Sequence, residues 1–310
     1  YSMGRSPDFD RHIMSWVNSI RSKVSSGAVP PGEFTDLDHM LHDLRLVKSA
    51  AELRLMRKAG DITARGHRRV MRACRPGLFE YQLEAELHHE FVQGGARFPA
   101  YSSIVGGGEN ACTLHYVANG SKLRDGDLVL VDAGCELEYY AADVTRTFPV
   151  NGRFSPAQRK LYEVVLEAQR AAIAEIAAGK HWNEPHDASV RVITQGLVDL
   201  GILRGRVHNL IKKGAYRSFF MHKVGHWLGL DVHDVGDYRV GEQWRTLEAG
   251  MVMTVEPGIY IAPVKTAVAA KWRGIVIRIE DNVVVTADGC EVISDGAPKT
   301  VEEIEAEMAA

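Results

Sequence analysis

Four acidic residues close short apolar runs of the kind that become buried strands. Asp132 ends Leu128-Val-Leu-Val131, and Asp143 follows Tyr139-Tyr140-Ala141-Ala142 and leads into Val144-Thr145. Glu256 ends Met251-Val-Met-Thr-Val255, and Glu280 ends Gly274-Ile-Val-Ile-Arg-Ile279. A carboxylate buried alone costs several kcal/mol or takes up a proton. Gathered together, four of them repel one another. Any single one reads equally well as a strand-end acid capping a turn or pairing with an arginine. Four in matching settings point to cations, because a charge of −4 is cancelled by two divalent ions.

The rest of the chain supplies the frame. Ser49 and Glu52 form a capping box that predicts a helix from near Lys48, with Leu53, Met56, Gly60, Thr63 and Val70 at helical spacing up to the stop at Arg75-Pro76-Gly77. Leu83, Leu87 and Phe91 predict a second helix ending at Gly94-Gly95. Strand patterns run from Tyr101 to Val150. Ser155-Pro156-Ala157-Gln158 then opens a long helix, and Val190, Ile193, Leu197 and Leu200 mark another. Strands return at 251–256 and 274–287, and Thr300 with Glu303 caps a last helix. Two helices and a sheet region are thus followed by two helices and a second sheet region. The class is α+β, with helices segregated from a largely antiparallel sheet and the halves related by a pseudo-two-fold rhythm. Residues 1–45 are set apart by the turn-rich stretch Ser25–Gly32, so 46–310 is expected to be the main domain.

Composition narrows the class. Lys plus Arg is 37 against 40 for Asp plus Glu, a net charge of −3 that speaks against nucleic acid as a partner. No apolar run approaches the ~18 residues of a membrane span, so no membrane partner is expected. Cys74, Cys112, Cys135 and Cys290 contain no CxxC pair and read as reduced thiols of a cytoplasmic protein.

Histidines add to the acidic pattern. His222, His226 and His233 fall within twelve residues of glycine-punctuated chain, whereas His115 stands alone in Thr113-Leu-His-Tyr116. The spacing is not that of a single-zinc protease, because Lys223 stands where the catalytic Glu of H-E-x-x-H would be.

These segments resemble one family. Gly108-Glu-Asn-Ala-Cys-Thr-Leu-His-Tyr116, Val131-Asp-Ala-Gly-Cys135 and Ala142-Asp-Val-Thr-Arg-Thr-Phe-Pro149 are similar to motifs of the aminopeptidase P (Xaa-Pro aminopeptidase) group of pita-bread metallopeptidases. So are His222–Gly236, Thr254-Val-Glu-Pro-Gly-Ile-Tyr260 and Arg278-Ile-Glu-Asp281. The resemblance covers roughly residues 45–310. It implies a pita-bread fold preceded by the closing remnant of a smaller N-terminal domain, and a homo-oligomer for the full-length protein.

Carried over by position, the resemblance implies five ligands for two metal ions. Asp132 would hold one ion, His226 and Glu256 the other, and Asp143 and Glu280 would bridge them. An oxygen-rich set with one imidazole suits Mn²⁺, with Co²⁺ or Zn²⁺ as alternatives. The implied reaction is hydrolysis of a peptide whose second residue is proline. Glu256 would pass a proton to the leaving nitrogen, and His115, His222 and His233 would bind substrate and steady the oxyanion. Arg278 shares a strand face with Glu280 and is read as the partner of a ligand carboxylate. Tyr260 is read either as a pocket wall or as a core aromatic. Trp227 and Leu228 would join it, with His233, in a wall shaped to the proline ring. A prolidase would share all five ligands, and a non-catalytic peptide-binding module on the same fold would have lost some of them.

Overall fold

The computed structural model describes residues 2–310, which fall into two compact units divided between Arg45 and Leu46. The first unit holds α1 (Pro7–Arg21), a 3₁₀ turn at Val24–Ser26 and most of α2 (Asp38–Leu46). Helix α1 carries Phe9, Ile13, Trp16, Val17 and Ile20 at helical spacing, and of these Val17 alone is buried. Its ends support it as well. Pro7 sits in the first turn with Asp8 and Asp10, and Arg21 lies in the last turn, complementing the helix dipole.

In the second unit, α3 (Ala50–Ala73) begins at the Ser49–Glu52 capping box and α4 (Glu80–Gln93) packs beside it. Met56, Gly60, Thr63 and Val70 of α3 and Leu83, Leu87 and Phe91 of α4 are buried, as their spacing predicts. Six short strands follow: β1 (Phe98–Pro99), β2 (Ile104–Gly107), β3 (Leu128–Asp132), β4 (Cys135–Leu137), β5 (Tyr140–Ala141) and β6 (Thr145–Pro149). Strand β3 lies between β2 and β6, antiparallel to both, and Asp132 stands opposite Ile104 and Thr145.

Helices α5 (Pro156–Ile173), α6 (Glu184–Asp199) and the short α7 (Val207–Lys212) lead to the second set of strands. These are β7 (Arg239–Val240), β8 (Gln243–Trp244), β9 (Val252–Val255), β10 (Gly258–Tyr260), β11 (Val276–Arg278), β12 (Asp281–Val285) and β13 (Cys290–Val292), before α8 (Val301–Ala309). Strand β12 lies between β9 and β13, again antiparallel to both. The run expected as one stretch over 274–287 is broken at Ile279–Glu280. There the Glu280 amide leaves its own sheet and donates to Thr145 O at 3.0 Å.

That break is the seam between the halves. Thr147 Oγ1 donates to Arg278 O and accepts from Arg278 N. Arg146 lies fully buried beside them. Its guanidinium donates to Pro298 O, Thr145 O, Glu280 O, Ala297 O and the Asp281 carboxylate, which uses its donor capacity in full. Strand β6 is buried on both faces, so its polar Thr145-Arg146-Thr147 exists to join sheets rather than to meet water.

Candidate metal centre and active site

A cavity of about 450 Å³ opens over the seam and is lined by Asp132, Asp143, His226, Glu256 and Glu280 together with Tyr101, His115, His222, His233 and Arg278. Each donor arrives at the end of an element. Asp132 ends β3 and Asp143 precedes β6, while Glu256 follows β9 and Glu280 lies between β11 and β12. His226 comes from an irregular segment that runs as an extra strand beside β9. The Thr254 amide donates to His226 O, the Leu228 amide to Val252 O and the Glu256 amide to Val224 O. Gly225 permits that approach, because a Cβ there would fall on the Thr254 carbonyl.

The carboxylates are enclosed: Asp132, Asp143 and Glu280 are buried and Glu256 nearly so. Burial, opposed in part by the His226 charge, pushes the Glu256 carboxyl up to about 7. Burial and then the neighbouring Asp143 raise Glu280 far above the usual carboxylate range. Asp143 is raised by burial too, against its bond to His226. Tyr101 Oη reaches Asp132 Oδ1 at 2.6 Å and also touches Asp143 Oδ1. The Arg278 guanidinium pairs with the far oxygen of Asp132, so its carboxylate partner is Asp132 and not Glu280, its neighbour on the strand face.

His226 shows what the cluster wants. Its Nδ1 lies 2.9 Å from Trp227 O and must donate to it. That leaves Nε2 facing Asp143 Oδ2 at 3.4 Å and Glu256 Oε1 at 3.7 Å. Burial works against a charge on this ring, but the Asp143 bond and Glu256 raise its pKa to about 9. Four carboxylates and His226 Nε2 therefore converge, with Arg278 paired to Asp132; a divalent cation that displaces the Nε2 proton meets a donor set that fits it. Side-chain atoms of Asp143, His226 and Glu280 lie within 4.8 Å of one another, which is close enough to share one ion.

His222 is held on both nitrogens. Nδ1 lies 2.7 Å from Lys223 O and must donate, so Nε2 accepts from Tyr260 Oη at 2.9 Å, and Tyr260 in turn accepts from Arg278 Nη1. Burial and the Arg278 charge push the His222 pKa down to about 4, keeping the ring neutral. His115 and His233 are exposed on the cavity wall, with the His233 ring edge-on to His226 at 4.3 Å. Beside it, Asp234 is buried against Lys48 Nζ at 3.2 Å.

Of the residues expected on the pocket wall, Tyr260 takes the core alternative, and the expectation for Trp227 and Leu228 is corrected. Tyr260 is buried among Ile104, Leu130 and Val276 and acts as the link between His222 and Arg278. Trp227 is buried outside the cavity, stacked on Tyr238 and against Trp182, because neighbours along an extended segment point to opposite faces. Leu228 packs into a separate cluster with Met56 and Val252. The apolar wall is instead Ile104, Leu114, Val117 and Val232. Tyr101 and Asn282, whose side chain accepts from Asp143 N, escaped the sequence reading, since neither stands in a periodic or repeated context.

Comparison with known proteins agrees with this geometry. A curated Xaa-Pro aminopeptidase of Haemophilus influenzae is 52% identical over 293 residues, covering 94% of this chain and 67% of that protein. The Xaa-Pro aminopeptidase of Escherichia coli is 51% identical over 298 residues, covering 95% and 67%. The chain thus spans about two thirds of their length. Among solved structures, aminopeptidase PepP of Pseudomonas aeruginosa superposes with a TM-score of 0.96 at 64% identity, covering 100% of this chain and 70% of that one. The zinc-substituted E. coli aminopeptidase P in complex with product gives 0.94 at 48%, with the same coverage. The model of metallopeptidase family M24 matches residues 54–287, the span that carries all five cavity donors. On that match and that cavity, the chain belongs to metallopeptidase family M24 and has its pita-bread fold.

Proposed function

We propose that this chain is a dinuclear-metal aminopeptidase that releases the first residue from peptides with proline in second position. The observation that carries the reading is the single cavity where Asp132, Asp143, His226, Glu256 and Glu280 meet, with Nε2 of His226 aimed among the carboxylates. Its similarity to Xaa-Pro aminopeptidases over nearly its whole length supports the same reaction. Asp132 would hold one ion and His226 with Glu256 the other, while Asp143 and Glu280 bridge; the oxygen-rich set favours Mn²⁺. Such cations act as Lewis acids on the scissile carbonyl and make water nucleophilic at neutral pH.

The chain's own groups do the rest. Tyr101 and Arg278 fix the rotamer of Asp132, and Thr145 Oγ1 fixes Glu280 through a 2.6 Å bond. Glu256 is the most accessible of the carboxylates and carries the proton to the leaving nitrogen. His115 and His233 donate to the substrate carbonyl as it gains charge. His222 would have to surrender one of its two bonds to do so, and its standing role is to hold Tyr260 against Arg278. A Xaa-Pro bond is a tertiary amide with no N–H to recognise. Selection must then come from the apolar wall of Ile104, Leu114, Val117 and Val232 closing on the ring.

The same reading takes residues 1–45 as the end of a smaller N-terminal domain and the full-length protein as a cytoplasmic homo-oligomer. A cleavage panel with added Mn²⁺ tests the activity. Xaa-Pro-Xaa tripeptides should be cut, and Xaa-Ala-Xaa tripeptides and Xaa-Pro dipeptides left intact. Equal cleavage of the alanine series would overturn proline selection, and activity confined to dipeptides would make the chain a prolidase.

A further inference from the structure

The segment from Gly108 to Tyr116 was singled out by its sequence, yet within it only Leu114, on the apolar wall, and His115 have a role in the chemistry described above. The remaining polar residues of this loop converge elsewhere, on Glu80. This glutamate opens α4 and is completely buried. Its Oε1 accepts from Gly107 N and Asn110 Nδ2, both at 2.8 Å. Its Oε2 accepts from Tyr116 Oη at 2.8 Å and Ser121 N at 2.7 Å. Asn110 Nδ2 also reaches Tyr116 Oη at 3.1 Å, closing the cluster on itself. All four donors are neutral. The carboxylate is satisfied by geometry rather than by a counter-charge, and it is not among the groups lining the metal-site cavity.

Placement gives the cluster its meaning. Gly107 and Asn110 lie where the loop leaves β2, and Tyr116 and Ser121 lie where it returns. One carboxylate therefore cinches both ends of a stretch that has only a short 3₁₀ turn, Gly108–Cys112, as secondary structure of its own. A second tie runs parallel to it, through Asn119 to Val105 N, Ser103 O and Glu84. Between the two ends, exposed and facing the cavity, stands His115.

We infer that Glu80 is a positioning residue for catalysis, setting the height at which His115 meets the substrate. The inference rests on the role of His115 proposed above and extends it to a residue on the far side of the loop. A donor aimed at developing charge acts only when held within a fraction of an ångström of its target. An irregular loop with one exposed histidine does not hold that position by itself.

Glu80→Gln in the intact protein is the test, because it keeps the shape and gives one pair of donors an NH₂ group to face. With an Xaa-Pro-Xaa tripeptide, kcat should fall about 10- to 100-fold, as for a misplaced catalytic group. KM should change little, and metal content by plasma emission should stay at the wild-type value. In a His115→Ala background the same substitution should have no further effect on kcat. A full additional loss in that background, or loss of metal, overturns the inference. If His115→Ala alone leaves kcat unchanged, the role of His115 fails first, and the inference with it. Tyr116→Phe removes one of the four bonds and serves where Glu80→Gln does not fold. It should give a smaller fall in kcat that likewise vanishes in the His115→Ala background, and persistence there would refute the assignment.

Discussion

Replacing Arg146 by methionine should cost the protein a large share of its stability, although Arg146 does not line the cavity. The magnitude follows from its partners. The guanidinium and the Asp281 carboxylate are both fully buried, 2.8 Å apart. Removing one member of such a pair typically costs about 3–5 kcal/mol, because the other is left charged in a dry environment. Asp281 keeps Ser294 Oγ at 2.7 Å, Lys299 Nζ at 3.0 Å and Gln169 Nε2 at 3.1 Å, which puts this part at the lower end, about 3 kcal/mol. Four carbonyls also lose a donor. Thr145 O still accepts from Glu280 N, so the acceptors at Glu280, Ala297 and Pro298 dominate, each worth about 1 kcal/mol. The total is about 5–6 kcal/mol against a typical domain stability of about 5–15 kcal/mol. Urea unfolding followed by tryptophan fluorescence reads this directly. Arg146→Lys retains the charge opposite Asp281 but not the fork to the carbonyls, and should fall between wild type and the methionine variant. A loss below about 1 kcal/mol for Arg146→Met would refute the reasoning, since it would mean that neither the pair nor the carbonyls depend on the guanidinium.

Asp143→Ala and Glu280→Ala should each abolish binding of both metal ions, and full occupancy of both sites by anomalous scattering in either variant would exclude bridging. His233→Ala should lower kcat about 10²–10³-fold with metal retained, as for one lost oxyanion donor. His222→Ala should cost less than His233→Ala, because both of its nitrogens are already engaged, and a larger loss would show that it leaves those bonds to act on substrate. The fully buried His67 donates from Nε2 to Ala133 O, and burial together with the Arg146 charge pushes its pKa from 6.5 down to about 4. Its neutral form is favoured by folding, so its contribution is complete above pH 6.5 and is lost as pH falls toward 4, about 3 kcal/mol in all. His67→Gln should flatten that part of the stability curve in urea titrations, and an unchanged slope would show that another group carries it.

The site was more legible than its surroundings for a physical reason. Asp132, Asp143, Glu256 and Glu280 violate the apolar pattern around them, and a violated pattern is visible in one dimension. Tyr101 violates nothing, so its bond to two of those acids appears only when β3 and the segment before β2 are side by side. Helices with a side-chain cap, such as α3, α5 and α8, begin where Ser49, Ser155 and Thr300 place them. Helix α1 lacks such a bond, and its apolar stripe of Phe9, Ile13, Trp16, Val17 and Ile20 is interrupted by charged and polar residues that mask it in one dimension. The wall of the cavity is not legible from nearness in sequence to His226, because nearness does not give direction. Alternation along the extended segment sends Trp227 away from the very place His226 faces.

The five cavity donors are divided across the seam, with Asp132 and Asp143 on one side and His226, Glu256 and Glu280 on the other. Neither half owns a complete site, so a cation that prefers the assembled cluster also acts as mortar between the halves. At a free concentration one hundred times its dissociation constant, one such ion adds about 2.7 kcal/mol to the cohesion of the fold. Depletion of metal would then do more than silence the enzyme. It would loosen the joint along Thr145, Thr147 and Glu280 and leave that seam as the place where the chain first opens to proteases.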